Sequence, residues 1–129
     1  QTFFISLDRL GARDSTGITA RYHMEQDIFD RLFTVIDDRK NSEPSVSYVS
    51  SLLTKGLPKI MGKIMEEAGE VCSAAQEGDR EHLVHEICDL FFHTFVLAGY
   101  KNISLDEIKA ELERRFGTSG HDEKARRTG

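Results

Sequence analysis

The sequence predicts an all-α fold, an antiparallel helical bundle, and three observations support that prediction. Apolar residues recur at three- and four-residue intervals through successive segments, the spacing of a helix with one buried face. No stretch alternates apolar and polar residues with the period of two that a half-buried strand requires. The breaks between segments are short and carry Gly, Asn, Pro or Asp, which end helices and cap the next one. At 129 residues the chain suits a single domain with a modest core.

Taken in order, residues 1–22 show no sustained period and read as an extension or linker. The helical domain is expected over residues 23–117, and a polar, basic tail over 118–129. From Met24 to about Lys40, the residues Ile28, Phe29, Leu32, Phe33, Val35 and Ile36 define the first helix, which Asn41 to Pro44 breaks. A short helix from Ser47 to Lys55 ends at Gly56, where a glycine suits a left-handed terminus. The next helix runs from Leu57 or Pro58 to Gln76 and closes at Gly78. Asp79 then caps a helix reaching Gly99 or Tyr100. Its second half is apolar nearly all round: from Ile87 to Ala98 only Asp89, His93 and Thr94 are polar, so it is expected to be buried on most sides. Ser104 with Glu107 forms a capping box for a last helix ending near Phe116 and Gly117.

Composition excludes several classes. No run approaches the 18 or so apolar residues of a membrane span, and the Phe3-Phe4-Ile5 cluster is too short for a signal-peptide core. A net charge of −5 argues against a nucleic-acid partner, which wants a basic surface. Cys72 and Cys88 read as small core residues of a reducing compartment, and the cytoplasm is the expected location. The chain begins at Gln1, which suggests a processed or excised piece.

The chemistry sits on two neighbouring helices. Glu66, Glu67 and Glu70 lie on one, Glu86 and Asp89 on the next. Residues three apart project from one side of a helix, so Glu67/Glu70 and Glu86/Asp89 each form a pair. The connection from Glu77 to Asp79 is short enough to make the helices antiparallel neighbours and to bring the pairs together. Clustered, partly buried carboxylates repel and cost several kcal/mol each to desolvate, so something must compensate them. No Lys or Arg occurs between Glu81 and Tyr100, which leaves a hard divalent cation, Mg²⁺, as the natural partner. A Glu-x-x-Glu pair alone is commonly a solvated face; its combination with Glu-x-x-Asp inside an apolar helix carries the signal. Glu66 points about 100° away from Glu67 and could bind metal, orient a ligand from behind or simply face water, the second being ranked first.

These residues resemble a known group. Lys63-Ile-Met-Glu-Glu-Ala-Gly-Glu-Val71 followed by Glu86-Ile-Cys-Asp-Leu-Phe-Phe-His93 is similar to the all-α NTP pyrophosphohydrolases, whose signature is E-E-x-x-E followed by E-x-x-D. Within that group it most resembles the phosphoribosyl-ATP pyrophosphatase family of histidine biosynthesis. Val35 to Lys40, Ser47-Tyr48, Gly56 to Ile60, Gly78-Asp79-Arg80, Ser104 to Glu107 and Glu123-Lys124-Ala125 with Arg127 carry the likeness, over about residues 28–127. Met65, Gly69 and Arg126 depart from the family pattern, but no carboxylate is lost.

The resemblance implies Mg²⁺-dependent hydrolysis of phosphoribosyl-ATP to phosphoribosyl-AMP and pyrophosphate by an all-helical homodimer. It implies Glu67, Glu70, Glu86 and Asp89 as metal ligands and catalytic residues, with Glu66 in support. In some members the domain is fused behind a phosphoribosyl-AMP cyclohydrolase, and residues 1–22 are expected as a remnant of such a junction. Lys59 and Lys63, which recur with Lys55 every four residues, are candidates for substrate phosphate, against simple ion pairing such as Lys63 with Glu67. Arg39 and Lys40 either complement a helix dipole or contact substrate. Lys124 and Arg127 either belong to a disordered tail or form a clamp over substrate. His93 lies on the carboxylate face, as a core histidine or a substrate contact; His82 and His85 are expected to be exposed. Two rival functions stay open: a housecleaning pyrophosphohydrolase of ordinary or damaged triphosphates, and a non-catalytic helical oligomerisation module.

Overall fold

A computed structural model describes residues 26–45 and 47–117, together with 124 and 127. Among them the secondary structure is entirely helical: α1 (Ile28–Arg39), α2 (Tyr48–Lys55), α3 (Leu57–Glu77), α4 (Arg80–Tyr100) and α5 (Leu105–Arg115). Lys124 and Arg127 are helical and exposed; the remaining residues of the expected extension and tail lie outside the described residues.

Local chemistry sets each boundary. α1 starts at Ile28, later than the expected Met24, because Asp27 is extended and its carboxylate accepts the Asp30 N–H at 2.9 Å. Ser47 caps α2 by accepting the Ser50 N–H at 3.2 Å. Gly56, at φ 84°, turns the chain directly from α2 into α3, and Pro58 fits the first turn, where its missing N–H costs nothing. α3 ends on Gly78 at φ 80°, and Asp79 caps α4. Asn102, at φ 58°, takes the left-handed position after α4, with the Ile103 N–H returning to the Ala98 carbonyl at 2.8 Å. The Ser104–Glu107 capping box opens α5 with both reciprocal bonds present.

α3 and α4 form the central antiparallel pair, across which α1 and α2 pack. Ile36, Val49, Leu52, Ile60, Phe92 and Val96 make the core. Gly99 permits the close approach of α1 and α4, since a Cβ there would sit 2.7 Å from Ile36 Cγ2. The Ser50 hydroxyl donates to the Arg39 carbonyl at 2.9 Å and ties the end of α1 to α2.

Two expectations are corrected. Cys72 and Cys88 are exposed, not core. The apolar half of α4 is only partly covered by its own chain: Phe91 is 46% exposed, beside Cys88 and, a turn earlier, Val84 at 54%. Among the described residues, the other helices cover one side of α4, and Cys88, Phe91 and Thr94 mark the exposed stripe on the other.

Candidate active site

α3 and α4 carry the expected carboxylates, and their packing sorts those residues into distinct environments. Glu67, Glu86 and Asp89 are buried, at 0%, 5% and 1% exposure. Neither Glu67 oxygen accepts a hydrogen bond, and its nearest cation, Lys63 Nζ, lies 3.6 Å from Oε1. Oε2 of Glu86 is likewise buried without a hydrogen-bond partner. Burial pushes the Asp89 carboxyl above its ordinary value; His85 opposes that shift, and the Glu67 charge adds to it. Such desolvated oxygens are what a cation site leaves exposed to its ion, because without one the cost of burial is uncompensated.

Glu70 and Glu66 differ. Glu70 is exposed, one turn along α3 from Glu67. Glu66 is also exposed and pairs with Lys63 at 3.1 Å, which lowers its pKa through that hydrogen bond. The donor atoms that gather within 4.8 Å of one another belong to His85, Glu86 and Asp89. Neither Glu67 nor Glu70 is in that group.

Of the two alternatives for His93 the structure takes the core one, and His82 and His85 keep part of their side chains, 37% and 41%, in solvent. His93, considered for substrate, is 1% exposed and belongs to the core. Its Nδ1 lies 2.7 Å from the Asp89 carbonyl, which only accepts, so Nδ1 carries the proton. Nε2 therefore accepts from the Tyr48 hydroxyl at 2.9 Å. Both ring nitrogens are thus engaged within the protein, and burial lowers the His93 pKa, keeping the ring neutral. His82 and His85 turn toward the carboxylates instead. His82 bridges Glu77 at 3.0 Å and Glu86 at 3.2 Å, and the Glu77 hydrogen bond is the main reason its pKa is raised. His85 Nε2 lies 3.4 Å from Asp89 Oδ2. The i,i+4 spacings from His82 to Glu86 and from His85 to Asp89 were the available signal for both.

The basic candidates also separate. Lys63 is 5% exposed and bridges Glu66 and Glu67, so ion pairing describes it better than substrate capture. Lys59, one turn earlier, is exposed. Arg39 is 7% exposed and pairs with Asp38 at 3.6 Å. Lys40 pairs with Asp37 at 3.1 Å and donates to Asn102 Oδ1 at 3.1 Å. A cleft of about 410 Å³ lies there, lined by Lys40, Asn102, Gly99 and Phe33 among others. It is not at the carboxylates: Gly99 lies ten residues beyond Asp89, about 15 Å along α4 at the helical rise. Within one chain the structure does not bring Lys40 to the acidic cluster.

An all-helical frame with buried carboxylates at the motif positions of two adjacent helices is the arrangement expected of the α-helical NTP pyrophosphohydrolases. Residues 29–116 match the family model described as phosphoribosyl-ATP pyrophosphohydrolase. Curated relatives named phosphoribosyl-ATP pyrophosphatase include one from Geobacter metallireducens, 54% identical over 101 residues (78% of this chain, 93% of the relative). One from Geobacter sulfurreducens is 50% identical over 101 residues (78% and 94%), and one from Hydrogenovibrio crunogenus 44% over 109 (81% and 96%). The chain belongs to the phosphoribosyl-ATP pyrophosphohydrolase family.

Proposed function

We propose that this protein hydrolyses phosphoribosyl-ATP between its α and β phosphates, giving phosphoribosyl-AMP and pyrophosphate in histidine biosynthesis. The family match over the helical domain carries this reading, and the buried carboxylates at the family's motif positions support it. Water attacks phosphorus, a new P–O bond forms, the α–β bridging bond breaks, and pyrophosphate departs.

Glu67, Glu86 and Asp89 would hold Mg²⁺, together with Glu70, which is exposed one turn along α3 from Glu67. Their fit rests on unsatisfied buried oxygens and an oxygen-rich donor set, which suits a hard cation. When bound, Mg²⁺ neutralises phosphate charge and acidifies water, and phosphoryl transfer depends chiefly on such positioning and electrostatics. The chain's own residues do the rest. Lys63 holds Glu67 and Glu66 in place on α3. His82 fixes Glu86 from the first turn of α4. The Tyr48–His93–Asp89 relay anchors the α4 backbone under the site. Lys59, exposed and one turn before Lys63, is proposed to bring positive charge to the substrate phosphates in an otherwise acidic protein. Lys124 and Arg127, exposed on the tail, are proposed to clamp substrate; Arg39 and Lys40, which stand apart from the acidic cluster of their own chain, are proposed to meet its ribose or phosphates only across a dimer.

A homodimer is proposed as the working form in the cytoplasm. Val84, Phe91 and Met65, at 54%, 46% and 75% exposure, leave apolar surface that a second copy would cover. Among the described residues no helix is long and apolar enough to cross a membrane.

The test is pyrophosphate release with Mg²⁺ from phosphoribosyl-ATP and from a panel of ordinary and deoxy triphosphates, for wild type and for Glu70→Gln and Glu86→Gln. Release from phosphoribosyl-ATP alone, lost in both variants, is the expected result. Preference for another triphosphate would move the protein to the housecleaning pyrophosphohydrolases. No release from any substrate by folded protein would overturn the enzyme reading and leave a helical module.

A further inference from the structure

The proposed Mg²⁺ ligands are all oxygens, yet among the described residues the side-chain group whose donor atoms converge within 4.8 Å contains a nitrogen, that of His85. The inference that follows rests on the proposed metal site and concerns which cations it accepts. His85 and Asp89 are one turn apart on α4, which stacks the imidazole over the carboxylate. Nε2 lies 3.4 Å from Oδ2. That is long for a charge-assisted hydrogen bond, which closes to about 2.7–2.9 Å. It matches the separation of about 3.4 Å between two ligand atoms bound tetrahedrally at about 2.1 Å to one cation.

A second observation points the same way. Glu86 is 5% exposed, and its Oε2 accepts no hydrogen bond, while its Oε1 is held by His82 Nε2 at 3.2 Å. One oxygen is thus oriented by the protein while the other is buried without a hydrogen bond, and Glu86 supplies one of the three donor atoms that converge within 4.8 Å. A carboxylate positioned through its far oxygen is the arrangement that aims a ligand at a metal. The His85 side chain is 41% exposed, so a hydrated cation reaches Nε2 from solvent.

We propose that His85 Nε2, with Glu86 and Asp89, forms a mixed nitrogen–oxygen site at this end of α4 that takes a borderline divalent transition ion of the Co²⁺ and Zn²⁺ type. Imidazole favours such ions, whereas Mg²⁺ seeks oxygen. The nitrogen raises the preference of the centre for transition metals over Mg²⁺ beyond that of an all-carboxylate site.

The experiment uses the full chain stripped of metal with chelator. Co²⁺ is titrated and followed by its visible absorption, and Mg²⁺ binding is measured by calorimetry, for wild type, His85→Asn and His82→Asn, with helicity checked by circular dichroism. In His85→Asn, Co²⁺ affinity is expected to fall about tenfold or more, the scale of losses on altering a metal's ligand surroundings. Mg²⁺ affinity in that variant is expected to stay within about twofold, because the oxygen ligands that it prefers are all retained. His82→Asn, which loosens Glu86 alone, is expected to weaken both ions to a similar extent. Equal losses of both ions in His85→Asn, no loss of either, or the same Co²⁺-selective loss in His82→Asn would overturn the proposal. Its failure is separable from that of the proposed function. Selective Co²⁺ loss in a protein that releases no pyrophosphate keeps the site and removes the enzyme. Mg²⁺-dependent release with no selective Co²⁺ loss keeps the enzyme and removes the nitrogen ligand.

Discussion

Glu67→Gln tests whether the buried carboxylates are kept for a cation or for the fold. Glu67 is fully buried, and neither of its oxygens accepts a hydrogen bond. Taking a carboxylate out of water costs several kcal/mol even after relaxation. The hydrogen bonds that would offset this, worth about 1.5–3 kcal/mol each to a charged group, are missing. Lys63 at 3.6 Å returns part of the cost, about 4–5 kcal/mol by Coulomb's law at an effective dielectric of 20. The neighbouring Asp89 charge subtracts from that, since the two carboxylates repel. Glutamine keeps the shape and removes the charge, while Lys63 retains Glu66 at 3.1 Å. In chelator, the variant is therefore expected to be more stable than wild type by about 1–2 kcal/mol, or roughly 3–8 °C in melting temperature for a chain of this size. With Mg²⁺ at a hundred times its dissociation constant, wild type gains about 2.7 kcal/mol by mass action and the variant gains much less, so the order reverses. Thermal melts of both proteins in chelator and in Mg²⁺ read this crossing directly. A variant about 1 kcal/mol or more less stable than wild type in chelator would refute the reasoning, by showing that the Lys63–Glu67 pair is a net structural asset.

Three further predictions follow from other parts of the structure. Tyr48→Phe keeps the ring stacked on Phe92 but strips the buried His93 Nε2 of its donor, so urea unfolding should show a loss of about 1–2 kcal/mol. Gly99→Ala forces a Cβ to within 2.7 Å of Ile36 Cγ2 and should destabilise by about 1–3 kcal/mol, whereas Gly69→Ala, with open space around it, should stabilise by about 0.5–1 kcal/mol through helix propensity; melting curves of the two distinguish crowding from propensity. Hydrogen bonds from Arg114 and then Arg115 lower the Glu111 pKa from 4.5 to about 2. A depressed carboxylate stabilises the fold above its unfolded pKa and loses that contribution as pH falls from 4.5 toward 2, so faster amide exchange in α5 of Glu111→Gln at neutral pH should converge on wild type in that window.

The helix pattern was legible because its determinants are local. Gly56, Gly78 and Gly117 all adopt positive φ, and Asp79 and Ser104 cap as their positions suggest. Each depends on residues within four of itself, which is the range of a helical hydrogen bond. The family motif was legible for a related reason: i,i+3 carboxylates on two adjacent helices need only a short connection to meet. Asp27 was missed as a cap because apolar periodicity alone does not mark a helix start, and Met24 fitted the period.

What the sequence could not decide was which side of each helix finds a neighbour. Lys63, Glu67 and Ile60 fall on the buried side of α3, while Glu70, Cys72 and Met65 do not, and the linear spacing of carboxylates leaves that rotation open. The same ambiguity hid the histidines. His93 is apolar in context and becomes a core hydrogen-bond relay only because Tyr48 of α2 lies over it, whereas His82 and His85 join the carboxylates because the α3–α4 pairing buries Glu86 and Asp89 beside them. The helices, their order and the acidic chemistry could be read from the residues alone, since those rest on short-range hydrogen bonding and residue type. Which oxygens lie buried without a hydrogen bond, and which nitrogen stands among them, emerged from the packing of the helices, because burial is set by contacts between residues far apart in the chain.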